Sequence, residues 1–189
     1  MEVLKQINLP AETRLLLAAG HFGQREGMFN AAWALEMLRY SELDLSMVLF
    51  GDGPKLSKAE QTANGMAPEG SRNYFLGARA DLPLWYPLAD IVLLPQSVGG
   101  ANIALEAMAT GKAIIAARTP IFSELLRDGE TGLLVEPGNA NELAKAILRL
   151  LRDEPLRQRL GENARREVTA RFSLARLVDQ WRLVYTLGG

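Results

Sequence analysis

Short apolar runs alternate with longer mixed stretches through most of this chain, and that alternation constrains the fold more than any other feature. Runs at 15–19, 45–50, 73–76, 90–94, 113–117 and 132–135 have the length of strands. Several are apolar at every position, so both of their faces must be covered, as in parallel strands packed between helices. Between them, 29–39, 54–64, 82–87, 101–110 and 121–127 read as helices, some only a turn or two long. Strand alternating with helix through roughly 130 residues predicts an α/β, doubly wound parallel sheet.

The punctuation agrees. Gly51-Asp52-Gly53-Pro54 follows one apolar run and opens a helix, with Pro54 expected at the first helical position. Asp52 reads there as a helix-start cap in preference to a catalytic group. Gly111 directly follows 101–110 and suits a C-terminal cap. After Asn139 the pattern becomes helix only. Leu143, Ile147, Leu150 and Leu151 line one face, and a second helix is expected from Pro155. A last helix has Ser173 as N-cap and a stripe of Leu174, Leu177, Val178, Trp181, Val184 and Tyr185. That stripe reads as core, or as packing against a partner domain. The expected organisation is one domain over 1–189, a Rossmann-like α/β core at about 14–138 with a C-terminal helical extension at 139–189.

Composition excludes several function classes. With 48% hydrophobic and 23% charged residues, the 189-residue chain can close a core without staples. No Cys is present, which excludes a disulfide scaffold, a Cys zinc site and a Cys nucleophile. His21 is the one His, so a multi-His metal site is excluded, and neither metal nor other cofactor is expected. A net charge of -1 gives no case for nucleic acid. Charges lie within the first five positions, and no apolar run approaches the ~20 residues of a membrane span. A cytoplasmic location is expected, with peripheral membrane contact left open. Nine Arg against five acids between Arg149 and Arg182 would suit an anionic membrane carrying a lipid acceptor. The plainer alternative is a solvated helix surface.

Ligands of doubly wound sheets bind beyond the carboxyl ends of the strands. Three loops occupy that edge: 20–27, beginning Gly20-His21-Phe22-Gly23; 51–53; and 95–101, which contains Gly99-Gly100-Ala101. Gly-Gly directly before a helix exposes N–H groups that lack internal partners and carry the positive end of the dipole, a natural place for a phosphate or diphosphate. A simple turn is the alternative. Glu106, on that helix among small apolar residues, would accept from ribose hydroxyls, or else is an ordinary solvated residue.

These segments carry a resemblance. Leu105-Glu106-Ala107-Met108-Ala109-Thr110-Gly111-Lys112-Ala113-Ile114-Ile115 closely resembles a signature of retaining GT-B glycosyltransferases, the glycosyl transferases group 1. Glu124-Leu125-Leu126-Arg127-Asp128-Gly129-Glu130-Thr131-Gly132-Leu133-Leu134-Val135 is similar to the family's next segment. Upstream, Val48-Leu49-Phe50-Gly51-Asp52-Gly53-Pro54, Tyr74-Phe75-Leu76-Gly77 and Ala89-Asp90-Ile91-Val92-Leu93-Leu94-Pro95 follow the family's order and spacing, and Arg171-Phe172-Ser173 leads into its last helix. The match runs from about Leu15 to Tyr185 and covers the C-terminal, donor-binding half of such enzymes. The resemblance implies a nucleotide-diphosphate sugar as substrate, transferred with retention and without metal. Its diphosphate would lie over Gly99, Gly100 and Ala101, its ribose at Glu106, its base at Ala78 and Arg79. The N-terminal acceptor domain would be the partner, and the isolated domain would be inactive.

Three positions depart from the family pattern. Val98 stands eight residues before Glu106, where the family has a glutamate facing the donor sugar. His21 and Glu26 stand where it has an Arg and a Lys gripping the diphosphate. Reversing one charge at ~4 Å and an effective dielectric of about 20 is worth several kcal/mol. Arg25 would substitute by a one-residue shift. Two alternatives follow: a non-catalytic binding or scaffold relative, and a nucleotide-sugar epimerase half of the same architecture.

Overall fold

The apolar runs become six strands: β1 (Arg14–Ala19), β2 (Leu45–Phe50), β3 (Asn73–Gly77), β4 (Ile91–Leu94), β5 (Ala113–Ala117) and β6 (Leu133–Val135). They come from a computed structural model that describes residues 7, 9, 13–23, 27–39, 44–66, 72–96 and 98–187. All pair in parallel, in the order β3-β2-β1-β4-β5-β6. Every residue of β2, β4, β5 and β6 is buried, as strands covered on both faces require.

Side chains alternate between two cores. Leu16, Ala18, Met47, Leu49, Leu93 and Ile115 face one; Leu15, Leu17, Val48, Phe50, Val92 and Ile114 face the other. The first is covered by α1 (Gly27–Met37), by Ala59 of α2 (Leu56–Met66) and by α5 (Ala140–Arg152). The second is covered by α3 (Ala101–Ala109), by α4 (Pro120–Leu125) and by Trp85 and Tyr86. The long α6 (Glu154–Arg171) serves both, with Leu156 and Leu160 in the first core and Ala164 and Val168 in the second. Between them, Gly161 lets α6 ride directly on the turn that joins α3 to β5. A Cβ there would lie 2.0 Å from the Gly111 carbonyl oxygen.

Local chemistry sets the ends. Asn139 caps α5 by accepting from the Glu142 N–H (3.0 Å), and Asp153 caps α6 by accepting from Leu156 (2.9 Å). Ser173 accepts from Arg176 (3.4 Å) at the start of α7 (Leu174–Leu187). Gly111 follows α3 at φ +71° with its N–H on the Met108 carbonyl, the expected cap.

Three expectations are corrected. Segment 82–87 is not one helix but two 3₁₀ turns, Leu82–Leu84 and Tyr86–Leu88; Pro87 has no N–H with which to continue a ladder. Pro54 lies in a turn before α2, in which Leu56 N–H donates to the Gly53 carbonyl, and Asp52 sits four residues ahead of the helix. The α7 stripe is not core. Leu174, Leu177, Val178, Trp181, Val184 and Tyr185 are all exposed, because α7 leaves the body of the domain. Among the described residues no helix is long and apolar enough to cross a membrane. Arg166, Arg171 and Arg182 of the basic tail pair with acids on the domain's own helices.

Candidate ligand crevice at the strand edge

The strand order puts β1 beside β4 at the centre of the sheet, and the chain leaves them toward opposite faces, to α1 and α3. Diverging loops leave an opening at such a switch point. Here it is a crevice of about 360 Å³ at the carboxyl ends of the strands.

Four strands, β1 to β4, each contribute a loop. After β1 come Gly20 and His21; after β2, Gly51 and Asp52; after β3, Ala78 and Arg79. From the loop after β4 come Gln96, Val98, Gly99 and Gly100, and α3 adds Ile103. The structure therefore brings together His21, Ala78, Arg79, Gly99 and Gly100 from separate parts of the sequence. Ala101 begins α3 behind them and packs on the second core. Arg25 and Glu26 lie outside the described residues.

Gly100 shapes the anion-facing end. It is the N-cap of α3 at φ 90°, ψ 5°, a left-handed conformation that favours Gly, and no side chain caps the helix. The first in-helix bond runs from Ala104 N–H to the Gly100 carbonyl (2.9 Å). The N–H groups of the first turn are left without intrahelical acceptors, beside the crevice.

The charged lining is balanced. His21 Nδ1 lies 3.4 Å from Asp52 Oδ1 at the exposed rim. Arg79 donates through Nε and Nη2 to both oxygens of Asp81 (2.8 and 2.7 Å). That fork raises the guanidinium and holds the Asp81 carboxyl below its usual range. Val98, 70% exposed, presents an isopropyl group to the opening.

Glu106 stands one turn along α3 from Ile103, on the same face, just beyond the crevice lining and exposed to solvent. Its Oε2 accepts from the Tyr86 hydroxyl at 3.0 Å. Burial first, then the charge of Glu106 and this bond, push the Tyr86 hydroxyl well above its ordinary value, so it remains a donor.

Tyr86 and Gln96 escaped the sequence reading. A Tyr within Leu82-Pro83-Leu84-Trp85-Tyr86-Pro87-Leu88 looks like core, although a buried phenol needs a partner, and that need was the available signal. Gln96 is 6% exposed, and among the described residues neither its Oε1 nor its Nε2 has a hydrogen-bond partner. It is wedged between Gly20 and Gly100. Among the described residues no three His, Asp or Glu side chains are grouped to hold a metal ion.

A doubly wound sheet, an uncapped helix N-terminus and a carboxylate on the same helix, gathered at the switch point, define a Rossmann-like ligand-binding domain. The chain belongs to the glycosyl transferases group 1 family, whose model matches residues 2–167. It is similar to the N-acetyl-alpha-D-glucosaminyl L-malate synthase of Bacillus anthracis, with 27% identity over 185 residues, 97% of this chain and 48% of that protein. Its fold matches Anabaena HepE, solved in complex with UDP and glucose, with a TM-score of 0.86 at 24% identity, over 100% of this chain and 51% of that one. It also resembles the C-terminal domain of a glycosyl transferase group 1 protein from Francisella tularensis, at TM-score 0.70 and 27% identity, over 89% of this chain and 97% of that one. The chain spans about half the length of the curated relatives it matches and corresponds to one half of a GT-B fold.

Proposed function

We propose that this chain is the donor-binding half of a retaining glycosyltransferase that uses a nucleotide-diphosphate sugar. The observation that carries this reading is the uncapped N-terminus of α3 opening onto a 360 Å³ crevice, with Glu106 one turn further along the helix. The diphosphate would accept from the first N–H groups of α3 over Gly99, Gly100 and Ala101. Glu106 would accept from the ribose, and Ala78 and Arg79 would border the base. HepE, with UDP bound in a structure of the same fold, supports a uridine nucleotide as the first probe. His21, and Arg25 from the same loop, would be the side chains that contact the diphosphate.

The partner would be an acceptor-binding half, and sugar transfer would take place in the cleft between the two. The exposed apolar face of α7 supports that reading. The similar isolated C-terminal domain from F. tularensis supports independent folding of this half. A lipid acceptor at a membrane surface has only the Arg excess in its favour.

A second reading, a binding or scaffold relative that has lost its donor site, is favoured by one observation. Val98 exposes an apolar side chain where the family presents a glutamate to the sugar. Calorimetric titration with UDP, GDP and ADP separates the two. Base-selective binding supports the transferase half, and no heat at millimolar nucleotide supports the scaffold.

A further inference from the structure

We propose that Tyr86 is a positioning residue for nucleotide recognition: its hydroxyl holds Glu106 by one carboxylate oxygen and leaves the other for the vicinal diol of the ribose. The proposal rests on the reading of Glu106 as the ribose contact.

Tyr86 is 1% exposed, and its ring packs in the core that α3 closes with Ala104, Ala107 and Met108. A Phe ring would fill the same space. What Tyr adds is a hydroxyl, which is costly to bury unless it is bonded. Its bond goes to Glu106 Oε2 at 3.0 Å, from a separate element immediately before β4. Oε1 has no protein partner among the described residues, and Glu106 itself is exposed. An exposed Glu on a helix surface ordinarily samples several rotamers and must be ordered when it binds a ligand. Here a rigid, buried phenol performs that ordering in advance. The bond is charge-assisted, with a neutral donor and an ionised acceptor. The two 3₁₀ turns matter for this reason. The second of them places the Tyr86 hydroxyl within hydrogen-bond reach of Glu106 on α3.

The test is a titration of the full chain with UDP and with 2′,3′-dideoxy-UDP, which lacks the diol, for wild type, Tyr86→Phe, Glu106→Ala and the double variant. Tyr86→Phe should weaken UDP about fivefold, the scale of ordering one side chain, and leave the dideoxy analogue unchanged. Glu106→Ala should weaken UDP at least as much, and Tyr86→Phe should add nothing in its background. Tyr86→Phe that is silent toward UDP, or that weakens both nucleotides equally, overturns the positioning role while Glu106→Ala still registers. Glu106→Ala without effect on UDP removes the ribose reading and this inference with it. A wild type that binds none of UDP, GDP or ADP removes the donor-site reading as a whole.

Discussion

Replacing Gly161 by Ala inverts the usual effect of that substitution. In an exposed helix interior, Gly→Ala stabilises by about 1 kcal/mol, through backbone entropy. At Gly161 the added methyl would meet the Gly111 carbonyl oxygen at 2.0 Å and the Gly111 carbonyl carbon at 2.8 Å. Both are backbone atoms, so no side chain can swing aside. Either α6 lifts from the sheet or the Gly111–Lys112 turn moves, and that turn feeds β5. Overpacking costs typically 1–3 kcal/mol, and a backbone overlap of this depth belongs near about 3. Subtracting the ~1 kcal/mol helix gain leaves a net loss of about 2 kcal/mol. At about 2–4 °C per kcal/mol for a chain of this size, Tm should fall by roughly 4–8 °C. Gly65 in α2 is the internal control, since among the described residues a Cβ there meets nothing within 4 Å. Gly65→Ala should raise Tm by roughly 2–4 °C. Differential scanning calorimetry on both variants decides it. If Gly161→Ala melts at or above the wild type, α6 does not seat on the Gly111 turn as described.

Other substitutions test the crevice and the sheet edge. Glu106→Ala should weaken UDP binding by ~1–3 kcal/mol, the scale of a hydrogen bond to a charged group, with circular dichroism unchanged. Gln96→Met removes a buried amide that has no partner among the described residues for either polar atom. It should therefore raise Tm in the absence of nucleotide, and a lower Tm would show that the amide is satisfied in solution. Burial alone would raise the Asp128 carboxyl, but bonds from Arg118 and the Leu134 N–H, with the charges of Arg118 and Arg149, outweigh it and lower the group overall. A depressed folded value gives stability that is present above the unfolded carboxylate range and is lost as pH falls below about 4. The wild type should thus lose Tm more steeply below that pH than Asp128→Asn, an effect kept small by the group's partial exposure.

The sheet was legible because buried parallel strands are short apolar runs; 45–50 and 113–117 correspond to β2 and β5 residue for residue. Helix starts were harder, because the first turn of α2 is set by the close return of the Gly53–Leu56 backbone, which no side-chain pattern encodes. The 3₁₀ pair escaped for the same reason that Tyr86 did. Leu82, Leu84, Trp85 and Leu88 have helical spacing, and only the missing Pro87 N–H speaks against a helix. In the crevice, Gly99, Gly100 and His21 were legible as loop residues after strands, and Ala78 and Arg79 only through the family resemblance. The engagement of Arg79 by Asp81 and the wedged Gln96 depend on contacts between loops. The α7 stripe was legible as amphipathic, but periodicity cannot say what a helix packs against.

The detachment of α7 has a thermodynamic consequence. Every described side chain from Leu174 to Thr186 is exposed, so the helix draws almost nothing from the core. At 14 residues it stands at the length where a helix without tertiary support is marginal in water. Its helix–coil equilibrium is therefore governed by whatever covers Trp181 and Tyr185. If an acceptor-binding half covers them, ordering α7 becomes part of the association step. The joining of the two halves should then carry a large negative heat capacity change and an unfavourable ordering entropy, and it should weaken on warming more than a rigid interface of equal area would.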